Sequence, residues 1–362
     1  MSSPDTSGGI LTIDLAALVD NWRELKSHLG GAGCGAAIKA DAYGIGASRA
    51  VIELARAGCT EFFVALIDEG IQVRHVLNEQ ALDANIHILG GPLAPQTMIE
   101  HRLIPVLNSL SDIDAWKNVA PEHAADIHID TGMSRLGLPP DEMDVLSNDP
   151  GRCKGLNISH VLSHLACAED HQSPMNAAQL QGFTNALKNF PDCKASLANS
   201  SGIYLGPAYH FDLARPGVSL YGVNPTPGKP NPMAQVIRLQ GRILQVRDVD
   251  TPQSVGYGAT HRVEHKGRIA TVGVGYADGY LRSLSNCGFG YFGEHRAPLV
   301  GRVSMDLITF DVSDVPEGVA HPGAWVDLIG PNNPIDDVAQ AASIIGYEIL
   351  TALGSRLHRV YI

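Results

Sequence analysis

Lys39 stands in the run Ala37-Ile38-Lys39-Ala40-Asp41-Ala42-Tyr43-Gly44, after the small and apolar stretch 34–38 and ahead of residues 47–57, whose spacing is helical. It therefore falls where a buried strand ends and a loop begins. An unpaired ammonium is costly to bury. Two readings are open: a lysine snorkelling at the strand end, or a nucleophilic amine that forms a Schiff base with a carbonyl compound. Tyr43, four residues on, could carry its phenol to a phosphate.

Other polar residues follow apolar runs in the same way. Arg135 closes the turn-rich segment Asp130-Thr131-Gly132-Met133-Ser134-Arg135-Leu136-Gly137. It reads either as a surface ion pair or as a planar fork for a substrate carboxylate. Asn199-Ser200 and Arg215-Pro216-Gly217-Val218 look like phosphate and ring contacts, with Gly217 admitting close backbone approach and Ser200 offering a hydroxyl. His160 and His164 lie four apart on a strand-like segment. That spacing spans ~13 Å, too far for one ion, and no metal is expected. Tyr257, in Ser254-Val255-Gly256-Tyr257-Gly258-Ala259-Thr260, reads as a turn residue, or as a base if neighbouring positive charge lowers its pKa. Tyr347, in Gly346-Tyr347-Glu348-Ile349-Leu350, reads alone as a core tyrosine. Gly273-Val274-Gly275-Tyr276-Ala277-Asp278-Gly279 superficially echoes a nucleotide loop but lacks the following helix, and that reading is rejected.

Residues 10–13 read as a strand, and Asp14 can cap a helix carrying Leu15, Leu18, Trp22, Leu25 and Leu29 on one face. From residue 34 to 213, short apolar runs alternate with helical patterns. Roughly eight repeats predict a (β/α)8 TIM-type barrel over residues 10–232, which gathers strand C-termini on one face. Lys39, Arg135, His164, Asn199, Ser200 and Arg215 all sit at such ends. A Pro/Gly/Asn-rich linker at 226–232 then gives way to strand-like alternation at 236–246, 268–274, 297–303, 308–312 and 325–328, with a helix over 334–345. A mostly β C-terminal domain is expected over 233–362, and a disordered lead-in over 1–9, which has no basic signal-like region.

The 362 residues carry a net charge of −12, which argues against nucleic acid or an anionic membrane as partner. No apolar run reaches the ~18 residues needed to span a bilayer. Six scattered cysteines fit reduced thiols in a cytoplasmic protein rather than a disulfide framework or a zinc site.

Together these motifs resemble, in order and over nearly the whole chain, those of the alanine racemases. The resemblance implies pyridoxal 5'-phosphate as cofactor, L- to D-alanine racemisation for peptidoglycan, and a homodimer in which one subunit's C-terminal domain completes the site on the other's barrel. It assigns Lys39 to the cofactor and to Cα on one face, and Tyr257 to the opposite face. Tyr43, Ser200, Tyr347 and the amides of Gly217 and Val218 would bind the phosphate, with Asn199 beside them. Arg215 would face the pyridine nitrogen, and His164 would orient the catalytic tyrosine. Arg135 and the Met305 amide would hold the substrate carboxylate, with Asp306 completing Ser304-Met305-Asp306, and Tyr276 would line the substrate entrance. Arginine cannot readily hand over a proton, so the ring would stay neutral, which suits racemisation over decarboxylation or amino transfer. Three positions depart from the family pattern: His128 for a carbamylated lysine that braces the substrate arginine, Ser196 for a histidine, and Ile45 for a histidine. The alternatives are a serine or broad-range racemase, a decarboxylase of the same cofactor, or a non-enzymatic pyridoxal-phosphate carrier. Arg215 speaks against the decarboxylase, and the C-terminal domain with Tyr257 and Tyr276 against the carrier.

Overall fold

The computed structural model describes residues 5–149 and 151–362, which fall into two compact units. The α/β unit comprises residues 18–220 and 224–233; the β-rich unit comprises 5–17, 221–223 and 234–362.

In the α/β unit, strands Ala36–Ala37, Glu61–Val64, Asn85–Ile88, Ile104–Leu107, Ala125–His128, Ile158–Leu162 and Lys194–Ser196 form one curled, open, seven-stranded parallel sheet in chain order. Their side chains are largely buried, as parallel strands covered by helices must be. Helices such as Ala47–Arg56, Ile67–Glu79 and Leu110–Val119 supply the crossovers. Helix Leu15–Ser27 begins where expected, with Asp14 Oδ1 accepting from the Ala17 amide at 2.9 Å, and it buries Leu18, Trp22 and Leu25.

Of the expected (β/α)8 barrel, the continuous ladder forms a curled, open half-barrel. The first strand is broken at Gly35 into Gly33–Cys34 and Ala36–Ala37. The eighth, Leu213–Ala214, is two residues long and pairs only with Gly33–Cys34, as a separate parallel pair. It cannot run on as a ladder, because Pro216 has no amide hydrogen to donate. Single backbone bonds flank the pair. Asp212 and Arg215 donate to Ala195 and Ala198 on one side, at 3.0 and 2.8 Å, and Gly35 and Ala37 donate to Ala214 and Pro216 on the other, both at 2.9 Å.

Four ionisable side chains meet inside this sheet. The His87 ring presents Nδ1 to Asp126 at 2.5 Å and Nε2 to Glu61 at 2.8 Å, and the His160 amide donates to Asp126 at 3.0 Å. Among the described residues, His87, Asp126 and His160 are the one His/Cys/Asp/Glu group whose ligand-type atoms lie within 4.8 Å of one another. His87 already meets a carboxylate at each ring nitrogen, so protons hold this cluster together.

The β-rich unit is organised on the thirteen-residue strand Ile237–Val249. It pairs antiparallel with Gly9–Ile13, Trp325–Ile329 and Gly267–Val272, and His358–Tyr361 adds in parallel beyond Gly9–Ile13. Strand Gly9–Ile13, read from sequence as the start of the barrel, thus pairs with strands of the C-terminal half. Of the expected lead-in, residues 1–4 lie outside the described residues. Arg242 bonds the Asp5 carbonyl at 2.8 Å, and Ser7 is buried with its hydroxyl on the Gly9 carbonyl at 2.6 Å. The helix expected over 334–345 is shorter, Ile335–Ala341, and is followed by a second, Gly346–Ala352. Among the described residues all six cysteines are free, and no helix is long and apolar enough to cross a membrane.

The buried cluster predicts a pH dependence of stability. Burial alone would lower the His87 pKa, but the charges and hydrogen bonds of Asp126 and Glu61 outweigh it and raise it to about 9. Burial raises Asp126, but the His87 charge and the bonds from His160 and His87 pull it below the usual carboxylate range. A raised histidine stabilises fully below its ordinary value near 6.5 and loses that contribution as pH climbs through about 9. The depressed carboxylate contributes above its ordinary value and loses its contribution in acid. Urea midpoints should therefore fall on the alkaline side of pH 6.5. His87→Leu should cost roughly 3–5 kcal/mol and abolish that alkaline decline; an unchanged decline would mean that His87 is not its source.

Candidate active site

Lys39 opens the short helical segment Lys39–Tyr43 immediately after the first strand. Ala40, Asp41, Ala42 and Tyr43 all have φ between 52° and 54°, one turn of left-handed helix built without glycine. Such residues are disfavoured by about 1–2 kcal/mol each. The surroundings hold the turn in place. The Ala40 amide donates to Glu69 at 2.6 Å, Asp41 accepts from the Ala47 amide at 2.7 Å, and Gly44 closes the turn onto the Ala40 carbonyl at 2.8 Å. Glu69 also accepts the Ala65 and Leu66 amides, so the helix Ile67–Glu79 and the lysine turn share one carboxylate. Burial, then the Arg135 charge, lower the Lys39 pKa, against a smaller opposing pull from Glu69. The neutral, proton-accepting amine is thereby favoured.

Arg215 is buried with no carboxylate against it. Its guanidinium donates to the Ser196 hydroxyl and the Ser163 carbonyl, and Ser196 in turn donates to the Leu213 carbonyl. Burial lowers its pKa to about 10, partly countered by Asp126, so it stays charged near neutrality. Arg135 is exposed on the loop after Ala125–His128. Asp130 gathers the amides of Gly132, Met133 and Ser134 there, at 2.9 to 3.2 Å. Gly137 closes the loop at φ 101°, where a Cβ would lie 2.8 Å from the Asp130 nitrogen.

Two histidines sit in this field and are kept neutral. Burial and the Arg215 charge, with Arg135, His128 and Lys39 adding to them, hold His164 well below its ordinary value. Burial and Arg215 lower His128 to about 4, with Arg135 adding and Asp130 opposing. His128 Nδ1 faces Asn108 Oδ1 at 2.8 Å. The Asn108 amide nitrogen is turned to the Val106 carbonyl, so its oxygen accepts and His128 keeps the Nε2 lone pair free for a donor.

Of the residues expected at the phosphate, Tyr43, Ser200 and Gly217 lie together in the α/β unit. Ser200 Oγ accepts the amides of Gly217 at 2.9 Å and Ser219 at 3.4 Å. Val218 is buried at the start of the turn Val218–Tyr221. A Cβ on Gly217 would sit 2.5 Å from the Tyr43 hydroxyl, so only glycine leaves that cradle open. The Ser219 hydroxyl is fully buried with no hydrogen-bond partner. An orphaned hydroxyl, two turn amides, a phenol and cations beyond fit an anionic, phosphate-bearing cofactor. Asn199 caps the turn Ser200–Ile203 through the Gly202 amide at 2.9 Å, and so shapes this pocket from behind.

The remaining residues lie in the β-rich unit. Tyr257 is 73% exposed between Gly256 and Gly258, both at positive φ, and lines an open cavity of about 830 Å³ with Arg302, Ser304 and Leu307. The amides of Tyr276 and Ala277 donate to the Ser304 and Met305 carbonyls, both at 3.0 Å, so these two loops are held as one piece. Arg356 ties Asp306 to Asp278, at 2.7 and 3.0 Å. Tyr347 is half-buried on helix Gly346–Ala352. Sequence reasoning missed Glu69, Asn108, Ser163 and Ser219. Asn108 carried a usable signal, a polar residue directly after the buried strand Ile104–Leu107.

Comparison with known proteins matches residues 13–225 to the family described as "Alanine racemase, N-terminal domain" and 236–361 to "Alanine racemase, C-terminal domain". An alanine racemase of Rhodospirillum rubrum is 50% identical, covering 100% of this chain and 98% of that one. A catabolic alanine racemase of Mesorhizobium japonicum is 43% identical, over 99% and 95%. The crystal structure of alanine racemase from Bartonella henselae, with covalently bound pyridoxal phosphate, superposes with a TM-score of 0.94 at 41% identity, covering 98% of this chain and 100% of that one.

Gly217→Ala should weaken pyridoxal-phosphate binding by about tenfold or more, some 1.4 kcal/mol, in an absorbance titration of apoprotein. Adding Tyr43→Phe should recover part of the loss by removing the clashing oxygen. Equal affinity of Gly217→Ala and wild type would show that the phosphate lies elsewhere.

Proposed function

The chain belongs to the alanine racemase family, and on that premise we propose that Lys39 and Tyr257 are the two bases of its reaction. It catalyses the pyridoxal-phosphate-dependent racemisation of alanine, supplying D-alanine for peptidoglycan. When bound, pyridoxal phosphate supplies an electron-withdrawing ring conjugated to the substrate nitrogen, which acidifies the Cα hydrogen.

The placing of Lys39 at the head of the turn that aims Tyr43 at Gly217 is the observation that carries this reading, and burial lowers the lysine's pKa in the direction a base needs. Arg135 offers its fork, and Met305 its amide, to the substrate carboxylate. Tyr43, Ser200, Tyr347 and the amides of Gly217 and Val218 hold the phosphate, with Asn199 shaping the turn. Arg215 meets the pyridine nitrogen with N–H donors alone. A guanidinium would not hand that nitrogen a proton, so Arg215 would favour reprotonation at Cα over amino transfer. Tyr257 serves the opposite face, oriented by the neutral His164, while Tyr276 lines the entrance and Asp306 keeps the Met305 loop in place.

The division of labour follows the domains: residues 10–232 hold the cofactor, and 233–362 complete the site of a second copy. Exposure of Tyr257, Tyr276, Met305 and Leu307 supports a homodimer with shared active sites, since these large side chains lie uncovered on the β-rich unit. The backbone bonds on both sides of Leu213–Ala214 support the finer fold reading, a (β/α)8 barrel whose eighth strand is abbreviated. The reduced cysteines suit the cytoplasm.

Chiral analysis of products from a panel of L-amino acids tests the substrate. Alanine should lead, and serine turnover matching alanine's would favour a broad-range racemase. Mixing Lys39→Ala with Tyr257→Phe subunits tests the shared site. Each is nearly inactive alone, yet random exchange should restore ~25% of wild-type activity in a two-fold dimer. No recovery, with exchange verified by native mass spectrometry, would put both bases on one chain.

A further inference from the structure

Arg215 is buried and, among the described residues, donates to uncharged oxygens alone, the Ser196 hydroxyl and the Ser163 carbonyl. A buried cation needs a countercharge, or it neutralises or moves. The side chains beneath it supply one. Its guanidinium carbon lies 5.9 Å from the centroid of the Phe63 ring, within range of the ring's electron-rich face. Phe63 stacks on His87 at 4.4 Å with the planes only 15° apart. His87 is completely buried and meets a carboxylate at each ring nitrogen, Asp126 at 2.5 Å and Glu61 at 2.8 Å. A neutral imidazole has one donor, so two carboxylate contacts call for the doubly protonated ring.

Each charged group in this column has identified neighbours. Asp126 is fully buried, bonded to His87 and to the His160 amide, with His160 Nδ1 3.4 Å from its carboxylate, and His160 sits edge-on to His87 at 5.7 Å between centroids. Glu61 is bonded to Asn85 as well as His87. Two carboxylates thus face one imidazolium and one guanidinium, and the excess negative charge of the triad equals the charge of Arg215.

We propose that the buried Glu61–His87–Asp126 triad is the countercharge of Arg215, with Phe63 as the spacer, and that His87 and Phe63 are positioning residues for the racemisation. The arrangement satisfies two opposed demands. A carboxylate placed directly on Arg215 would occupy the N–H donors that the cofactor ring needs. With no anion at all, the guanidinium would be drawn out toward the incoming phosphate and substrate carboxylate. Negative charge one ring away keeps the arginine charged and seated while leaving its donors free. This rests on the reading that Arg215 faces the cofactor ring.

The test uses holoenzyme with isotope-labelled histidine and four variants: Phe63→Leu, His87→Gln, Asp126→Asn and Arg215→Lys. Wild type should show one imidazolium signal that persists to about pH 8, absent from His87→Gln. In Arg215→Lys, a more compact and more mobile cation, that signal should titrate at a different pH from wild type. Phe63→Leu and Asp126→Asn should shift the absorption band of bound pyridoxal phosphate and lower kcat by about tenfold while KM for alanine stays within about twofold. A purely structural role would lower thermal stability alone. If Arg215→Lys moves the absorption band but folded Phe63→Leu and Asp126→Asn do not, the triad does not act on Arg215 and the proposal falls alone. If Arg215→Lys leaves the band unchanged, the reading of Arg215 falls and takes the proposal with it. Should His87→Gln fail to fold, the other two variants and the wild-type histidine spectrum still decide: a neutral His87 at pH 7 overturns the proposal.

Discussion

A guanidinium buried without a carboxylate governs this site. Arg215 keeps its charge in the interior while bonding only to Ser196 and the Ser163 carbonyl. Its field then acts on everything titratable around it. His164 and His128 are both held neutral, with burial first and Arg215 second in each case. Lys39 is lowered as well, by burial and by the second arginine, Arg135. The mouth of the sheet is therefore a region of excess positive charge in a chain whose net charge is −12. Such a region concentrates small anions before any specific contact forms.

The backbone adds a second constraint. Four consecutive non-glycine residues in left-handed conformation follow Lys39. Strain of this kind persists only where neighbours over-determine it, and here Asp41, Glu69 and Gly44 do so. The turn thereby fixes the Lys39 backbone and points Tyr43 at Gly217. A lysine on an ordinary loop would have the same chemistry but less control of where its amine sits.

What could be read from sequence follows a physical line. Lys39, His164 and Arg215 stand out in the sequence because a charged or polar residue just after a buried strand has few structural uses, whereas Arg135 lies on the loop well beyond Ala125–His128. The alternation of strand and helix was legible because periods of 2 and 3.6 are local. The left-handed turn was not, since Ala40, Ala42 and Tyr43 are not residues associated with positive φ. The His87 cluster escaped for another reason. Along one strand His160 and His164 are too far apart to cooperate, and the true neighbours of His160 come from adjacent strands. The break at Gly35 depends on close packing against Glu61 and Phe63, which no periodicity records. Likewise, the pairing of Gly9–Ile13 with Ile237–Val249 joins segments more than two hundred residues apart.

That pairing bears on how the chain acquires its structure as it is made. Gly9–Ile13 lies between Ile237–Val249 and His358–Tyr361, so one of the first strands to leave the ribosome is flanked by one of the last. The α/β unit is complete by residue 233 and needs nothing downstream for its own ladder. Gly9–Ile13, by contrast, has both edges unpaired until Ile237–Val249 is made, and one edge unpaired until His358–Tyr361 follows. During that interval it is a template for the wrong partner. A short strand of five residues, with polar Thr12 among apolar neighbours, limits that hazard. Slow translation of the C-terminal half would lengthen it.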